Sequence, residues 1–205
     1  MEIEPLLRPF LGDDTLSPNQ LQAISTYVDL LMKWNARINL TSIRDPEQIV
    51  QRHFGESLFA ARNLLTPDSA ITVADIGSGA GFPGIPIKLY APGAHVTLIE
   101  AHGKKATFLR EVIRGLALTN IDVFQGRAEA WTGTAELVTL RAVEKFENVL
   151  PIAADHVSSG GRLALLIGAG QAPAASSSLP GQWSQALAIP ESQQRVLKTW
   201  QKGSK

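Results

Sequence analysis

An apolar run enters a turn in which three glycines alternate with small residues, and a helical pattern follows: Val73-Ala74-Asp75-Ile76-Gly77-Ser78-Gly79-Ala80-Gly81-Phe82-Pro83-Gly84. Only glycine adopts φ > 0 freely and lets a backbone approach a ligand closely, so this spacing reads as a strand-to-helix turn built around a small molecule. A tight turn with no ligand is the alternative. Strand and helix patterns alternate from residue 71 onward, with no internal repeat of the glycine turn. Strands are expected at 71–77, 95–101, 121–126, 136–143 and 161–168, with helices near 85–90, 104–118 and 146–156. Strands and helices alternating at this spacing form right-handed crossovers, and hence a mostly parallel, doubly wound α/β sheet.

Residues 1–66 follow a different period. Ser17-Pro18-Asn19-Gln20 offers a capping serine, a proline at the first helical position and a glutamine placed to close a capping box. Leu21, Ile24, Val28 and Leu31 continue it as an amphipathic stripe. Asp45-Pro46-Glu47 marks a second helix start, and Thr66-Pro67-Asp68 ends the region. The chain therefore divides into a helical cap over 1–66 and an α/β part over 67–205. In the tail, 171–181 reads as a mobile surface loop, followed by strands at 185–189 and 195–200 as an antiparallel edge hairpin.

Composition narrows the chemistry. The 205 residues include no cysteine, which removes disulfides, thiolate nucleophiles and cysteine-ligated metals. The four histidines show no zinc-hydrolase spacing, so no metal is expected. Lys and Arg number 19 against 19 Asp and Glu, so any nucleic-acid contact must rest on a local patch. The acidic start Met1-Glu2-Ile3-Glu4-Pro5 lacks the character of a signal peptide, and the uncharged stretch 163–190 is interrupted by prolines, serines and glutamines. A cytoplasmic protein without a membrane span is expected.

The ligand follows from the acids and prolines. A dinucleotide fingerprint has glycine where this chain has Phe82, and Pro83 and Pro86 remove N–H donors that a diphosphate needs. Asp75 would repel a diphosphate but suits a cation, which favours S-adenosylmethionine. Glu100 ends the second strand 23 residues after Gly77, near the spacing at which an acid meets ribose hydroxyls. Arg127-Ala128-Glu129 follows the third strand at the same edge.

Together, Asp75–Gly84, Glu100, Lys104-Lys105-x-x-Phe108-Leu109-Arg110, Arg127-x-Glu129 and Arg141-Ala142 resemble the bacterial ribosomal RNA small subunit methyltransferase G family, also called glucose-inhibited division protein B. The cap agrees through Lys33-Trp34-Asn35, Asn39-Leu40-Thr41, Arg44-Asp45-Pro46 and His53-x-x-Glu56-Ser57, where glutamate replaces the family's aspartate. The likeness runs over residues 16–170. It implies a Rossmann-like methyltransferase sheet and S-adenosylmethionine-dependent methylation of a guanine N7 in 16S ribosomal RNA, free or within a small-subunit particle. The residues it implies for the cofactor, beside Asp75, are Gly77, Gly79, Gly81, Phe82, Glu100, Ala101, His102, Ala128, Glu129 and Arg141.

One departure stands out. Where the family ends its fifth strand in Lys-Gly, this chain reads Leu166-Ile167-Gly168, so a cation near the RNA or cofactor is expected to be missing.

RNA contacts are expected from Arg44, Arg52, Lys104, Lys105, Arg110 and Arg127, with Arg114 and Arg141 nearby; a solvated basic face is the alternative. Arg141 follows an apolar strand and needs a partner such as a cofactor carboxylate. His53 reads as structural or substrate-facing, and Trp34 as core. Two further functions stay open: a nicotinamide-dependent oxidoreductase, and a ribosome-binding factor that keeps the pocket without efficient chemistry, the latter favoured by Ile167.

Overall fold

The computed structural model describes residues 1–141 and 146–204. In the cap, α1 (Ile3–Leu11) precedes α2 (Pro18–Asn35), which opens on the expected capping box: Gln20 N donates to Ser17 Oγ at 3.3 Å and Ser17 N to Gln20 Oε1 at 2.7 Å. Gln20 also reaches the carbonyl of Leu89 at 2.7 Å, tying the cap to the α/β part. Asp45 caps the short α3 (Pro46–Ile49) through the amide of Gln48. A π-helical turn, Val50–Gly55, then leads into α4 (Glu56–Leu64). Such turns are rare and concentrate at functional sites.

The sheet begins with β1 (Thr72–Ile76), α5 (Gly84–Tyr90), β2 (His95–Glu100), α6 (Gly103–Gly115) and β3 (Ile121–Gln125). It continues with β4 (Ala135–Arg141), α7 (Phe146–Asp155), β5 (Val157–Gly168), α8 (Ala172–Ser178), β6 (Gln182–Trp183), β7 (Leu187–Ala188) and β8 (Arg195–Gln201). The spatial order is β3-β2-β1-β4-β5-β8-β6, with β7 also on β8. Strands β1 to β5 pair in parallel, and β8 pairs antiparallel with β5, β6 and β7. The sheet is thus the doubly wound one expected. Positions 142 and 143, expected in the fourth strand, lie outside the described residues.

Side-chain alternation along the strands feeds two apolar layers. Val73, Leu98, Leu137 and Leu166 face α5, α6 and the cap helices in one continuous core. Ala74, Ile99, Leu165 and Ile167 face α7 and α8 in the other. Fully burying a side chain of this kind stabilises by roughly 1.5–3 kcal/mol, so the cap is held chiefly by the first layer.

Two expectations are corrected. The segment 171–181 was expected as loop, yet 172–178 is helical. Pro173 sits in the first turn, where its missing N–H costs nothing, and Ala172 and Ala175 bury one face against the second layer. Ile167 stands next to the carboxyl end of β5, but its side chain does not point to the cavity at that edge. It is 4% exposed within the second layer, because its neighbour Leu166 takes the opposite face.

Candidate active site

Strand order reverses between β1 and β4, the point where an open α/β sheet leaves a crevice at its carboxyl edge. The turn after β1 lies there. Gly77, Gly79 and Gly81 hold φ of +68°, +57° and +87°, values that side chains rarely adopt. The amides of Gly77 and Ser78 donate to the carbonyl of Ile99 at 2.9 and 3.1 Å, so the turn is stitched to β2. Gly81 and Phe82 donate to Ser78 O, Ile85 to Gly81 O, and Tyr27 Oη to Ala80 O.

Two of the three expected acids, Asp75 and Glu100, serve this turn. Asp75 is 1% exposed and is turned inward, away from the cavity wall: Oδ1 accepts from Thr139 Oγ1 at 2.7 Å and Oδ2 from the amide of Gly84 at 3.2 Å. Burial raises its carboxyl to about 6 despite those donors. The side chain read as a cation partner therefore shapes the loop. Glu100 accepts from Gly79 N at 2.8 Å through Oε2 and from His102 N at 2.7 Å through Oε1, clasping the turns after β1 and β2 together. With these bonds, the amides of Gly77, Ser78, Gly79, Gly81, Phe82, Gly84 and Ile85 all have acceptors within the protein. A diphosphate would find few free donors here.

Above the turn lies a cavity of about 700 Å³, within the range of roughly 300–1,000 Å³ usual for small-ligand clefts. Gly77, Gly79, Phe82 and Glu100 line it from the sheet, and Arg141 lines it from the end of β4. The cap contributes Thr41, Ile43, Gln48, Arg52 and His53. A methyl group at Gly79 would meet nothing nearer than Gly77 O at 3.8 Å, so the loop leaves the floor open. Gly81 instead packs against Tyr27, Ile85 and Leu109 and is not on the wall. Ala101, His102 and Glu129 are exposed after β2 and β3, outside the cavity lining, while Ala128 is buried in the second apolar layer.

Arg141 finds its partner inside the chain. Its Nη2 donates to Glu56 Oε2 at 2.9 Å and to the carbonyl of Arg52 at 2.6 Å. Glu56, 1% exposed, also holds Arg52 Nε at 3.1 Å and lies 3.0 Å from Arg195 Nε. Three guanidinium groups thus share one buried carboxylate, leaving the wall cationic. Burial pulls the Arg141 guanidinium down from its ordinary value, opposed by Glu56. No local sequence pattern marks Glu56 as a hub or Arg195 as part of the site. Arg195 lies opposite Gly168 in the β5–β8 register, so a cation does reach the edge where Ile167 had suggested a gap. The signal was the antiparallel return of β8, which brings its first residue to the carboxyl edge.

His53 completes the cap side. Its ring stacks on Phe82 at 4.9 Å, and Tyr27 stacks on Phe82 at 5.3 Å with an interplanar angle of 4°. Two rings from the cap therefore stack on Phe82. Burial first, and then Arg141, Arg195 and Arg52, lower His53 to about 3. Of the expected RNA contacts, Arg52 and Lys105 line the cavity. Lys104, Arg110 and Arg127 are exposed on α6 and after β3, and Arg44 donates to Asn35 O at 2.9 Å. Trp34 packs edge-on against Phe108 as a core contact.

Residues 20–178 match the GidB family, described as rRNA small subunit methyltransferase G. The Ribosomal RNA small subunit methyltransferase G of Xylella fastidiosa (strain 9a5c) is 42% identical over 145 residues, covering 70% of this chain and 66% of that protein. Its namesake in Chloroflexus aggregans is 43% identical over 154 residues, 72% of this chain and 64% of that one. The chain thus spans about two thirds of the length of these relatives. Among solved structures, a ribosomal protein L11 methylase from Lactobacillus delbrueckii subsp. bulgaricus superposes with a TM-score of 0.63 at 16% identity, over 74% of this chain and 80% of that one. That likeness shows the fold.

Proposed function

Since the chain belongs to the GidB family of rRNA small subunit methyltransferase G proteins, we propose that it transfers a methyl group from S-adenosylmethionine to N7 of a guanine in 16S ribosomal RNA. The observation that carries the cofactor half is the clasp of the glycine turn by Glu100 on the floor of a cavity at the strand-order switch. Gly77 and Gly79 would admit the cofactor's chain, Glu100 would receive ribose hydroxyls, Ala128 and Glu129 would border the adenine, and the arginines would meet its carboxylate. When bound, S-adenosylmethionine supplies a methyl group on a positively charged sulfur.

The loop amides are already satisfied, which favours a ligand without phosphates over a nicotinamide dinucleotide. The pocket-without-chemistry reading rested on Ile167, which is a core residue, so no observation favours it.

Guanine N7 carries an in-plane lone pair and no proton, so no base has to act on it. His53, held neutral, is free to serve as a structural ring. The work left to the protein is alignment, which is worth roughly 7–11 kcal/mol in favourable cases. N7 lies in the deep major groove of A-form RNA, so the base must leave the helix to react. We assign residues 1–66 to the RNA entrance and 67–205 to the cofactor, with Arg52 and Lys105 facing phosphates at the mouth. A substrate within the small subunit places the reaction in the cytoplasm.

The test is transfer of label from S-adenosylmethionine, with small ribosomal subunits, free 16S RNA and protein extract in separate reactions. Label entering RNA supports the reading; label in protein alone, or nowhere, overturns it.

A further inference from the structure

The cap wall of the cavity carries a hydroxyl whose role as donor is set by its neighbours. Thr41 Oγ1 lies 2.7 Å from His53 Nε2 and accepts the amide of Ile43 at 3.1 Å. On the other side of the imidazole, Nδ1 faces Arg141 Nη2 at 3.1 Å. Nη2 has two protons to share among Arg52 O, Glu56 Oε2 and Nδ1, and since a guanidinium only donates, an N–H at Nδ1 would oppose it; Nδ1 therefore presents its lone pair and the ring proton sits on Nε2. That proton points at Thr41. Burial and three neighbouring arginines keep the ring from taking a second one.

Both lone pairs of the Thr41 oxygen are then occupied, one by Nε2–H and one by the Ile43 amide. A hydroxyl ordinarily serves as donor or acceptor as its partner requires, which makes it a poor judge of bases. This one can only donate. Its own proton meets no acceptor among the described residues, and the side chain lines the cavity. Arg141 and Arg195 already face any acidic group the cofactor brings, and Thr41 comes from the cap between α2 and α3 and not from the strand ends that carry the glycine turn.

We propose that the Thr41 hydroxyl donates to O6 of the target guanine and thereby selects guanine over adenine. The inference rests on the methyl-transfer reading above and adds the contact that recognises the base. Guanine presents O6 and N7 as adjacent acceptors on one edge, whereas adenine places an amino donor where O6 would be. A donor-only hydroxyl welcomes the first and opposes the second, because two donors would face each other.

The experiment is a cycle between enzyme and substrate. Target RNA is ligated with guanosine, inosine or 2-aminopurine at the methylated position; inosine keeps O6, and 2-aminopurine lacks it but keeps N7. Wild type, Thr41→Val and Thr41→Ser are compared by kcat/KM, and S-adenosylhomocysteine affinity is measured for each. For wild type, 2-aminopurine should lower kcat/KM about ten- to hundredfold relative to guanosine, with inosine close to guanosine. In Thr41→Val that penalty should shrink to less than about threefold, while Thr41→Ser keeps it. Should Thr41→Val not fold, Thr41→Cys, a weak donor of similar size, takes its place in the cycle. An equal penalty in wild type and variant overturns the inference, as does a loss of S-adenosylhomocysteine affinity matching the loss of kcat/KM. Failure of wild type to methylate any guanosine RNA overturns the functional reading itself and is recognised before any variant is made.

Discussion

Arg141 at the end of β4 donates to Glu56 in the first turn of α4 over 2.9 Å, and the two side chains are 9% and 1% exposed. This contact bridges 85 residues of chain and joins the cap to the sheet edge where the cavity opens. Buried ion pairs of this kind add little net stability when made but are costly to break, since the remaining charge is stranded.

Glu56→Gln should therefore destabilise the fold by about 3 kcal/mol, because Arg141, Arg52 and Arg195 would repel one another with no carboxylate between them. Urea denaturation at neutral pH measures this. An unchanged midpoint would mean that the arginines turn to solvent instead.

Asp75 gives a pH signature. Its folded value of about 6 lies above the 3.8 of the unfolded chain, so the native state holds the extra proton between them and stability falls as pH rises through that window. Asp75→Asn removes the effect. The stability of the variant relative to wild type should rise between about pH 4 and 6 and then level off, as followed by denaturation at stepped pH.

His53 acts in the opposite sense. A folded value of about 3 against 6.5 means that the unfolded chain binds the proton first, so this group costs stability as pH falls below about 6.5. Nitrogen-15 NMR at pH 6 should find the ring neutral, with its proton on Nε2. A protonated ring, or one protonated on Nδ1, would contradict the Arg141 and Thr41 contacts.

The glycines of the turn should separate by phenotype. Gly81→Ala forces a side chain into Tyr27 at φ +87° and should cost about 2 kcal/mol of stability or more. Gly79→Ala, at φ +57° with open space beyond it, should cost about 1 kcal/mol while weakening S-adenosylhomocysteine binding more than tenfold. Calorimetry beside thermal unfolding distinguishes the two.

Much of this was legible in the sequence because it is local. The caps at Ser17 and Asp45, the strand at Thr72–Ile76 and the glycine turn each announce themselves within a few residues. Glu100 was found by its spacing from Gly77 at the end of an apolar strand. Glu56 and Arg195 were not singled out, since their meaning lies in a contact between α4 and β8 that no local period encodes. Asp75 was located just ahead of the turn as an acid suited to a cation, but its bonds from Gly84 and Thr139 were not legible, because they follow from the strand alternation that puts it on the face packed by α5. In 171–181 the serines and prolines read as loop, while the alanines at 172 and 175 supplied the face that makes a helix worthwhile.

The most direct measurement of the central claim is methyl transfer from labelled S-adenosylmethionine to small ribosomal subunits, with the product mapped at nucleotide resolution for wild type and Glu100→Ala side by side. The account expects 7-methylguanine at one position in 16S RNA with wild type, and loss of that product with Glu100→Ala. Label on another atom or in protein, or equal product from Glu100→Ala, would contradict it.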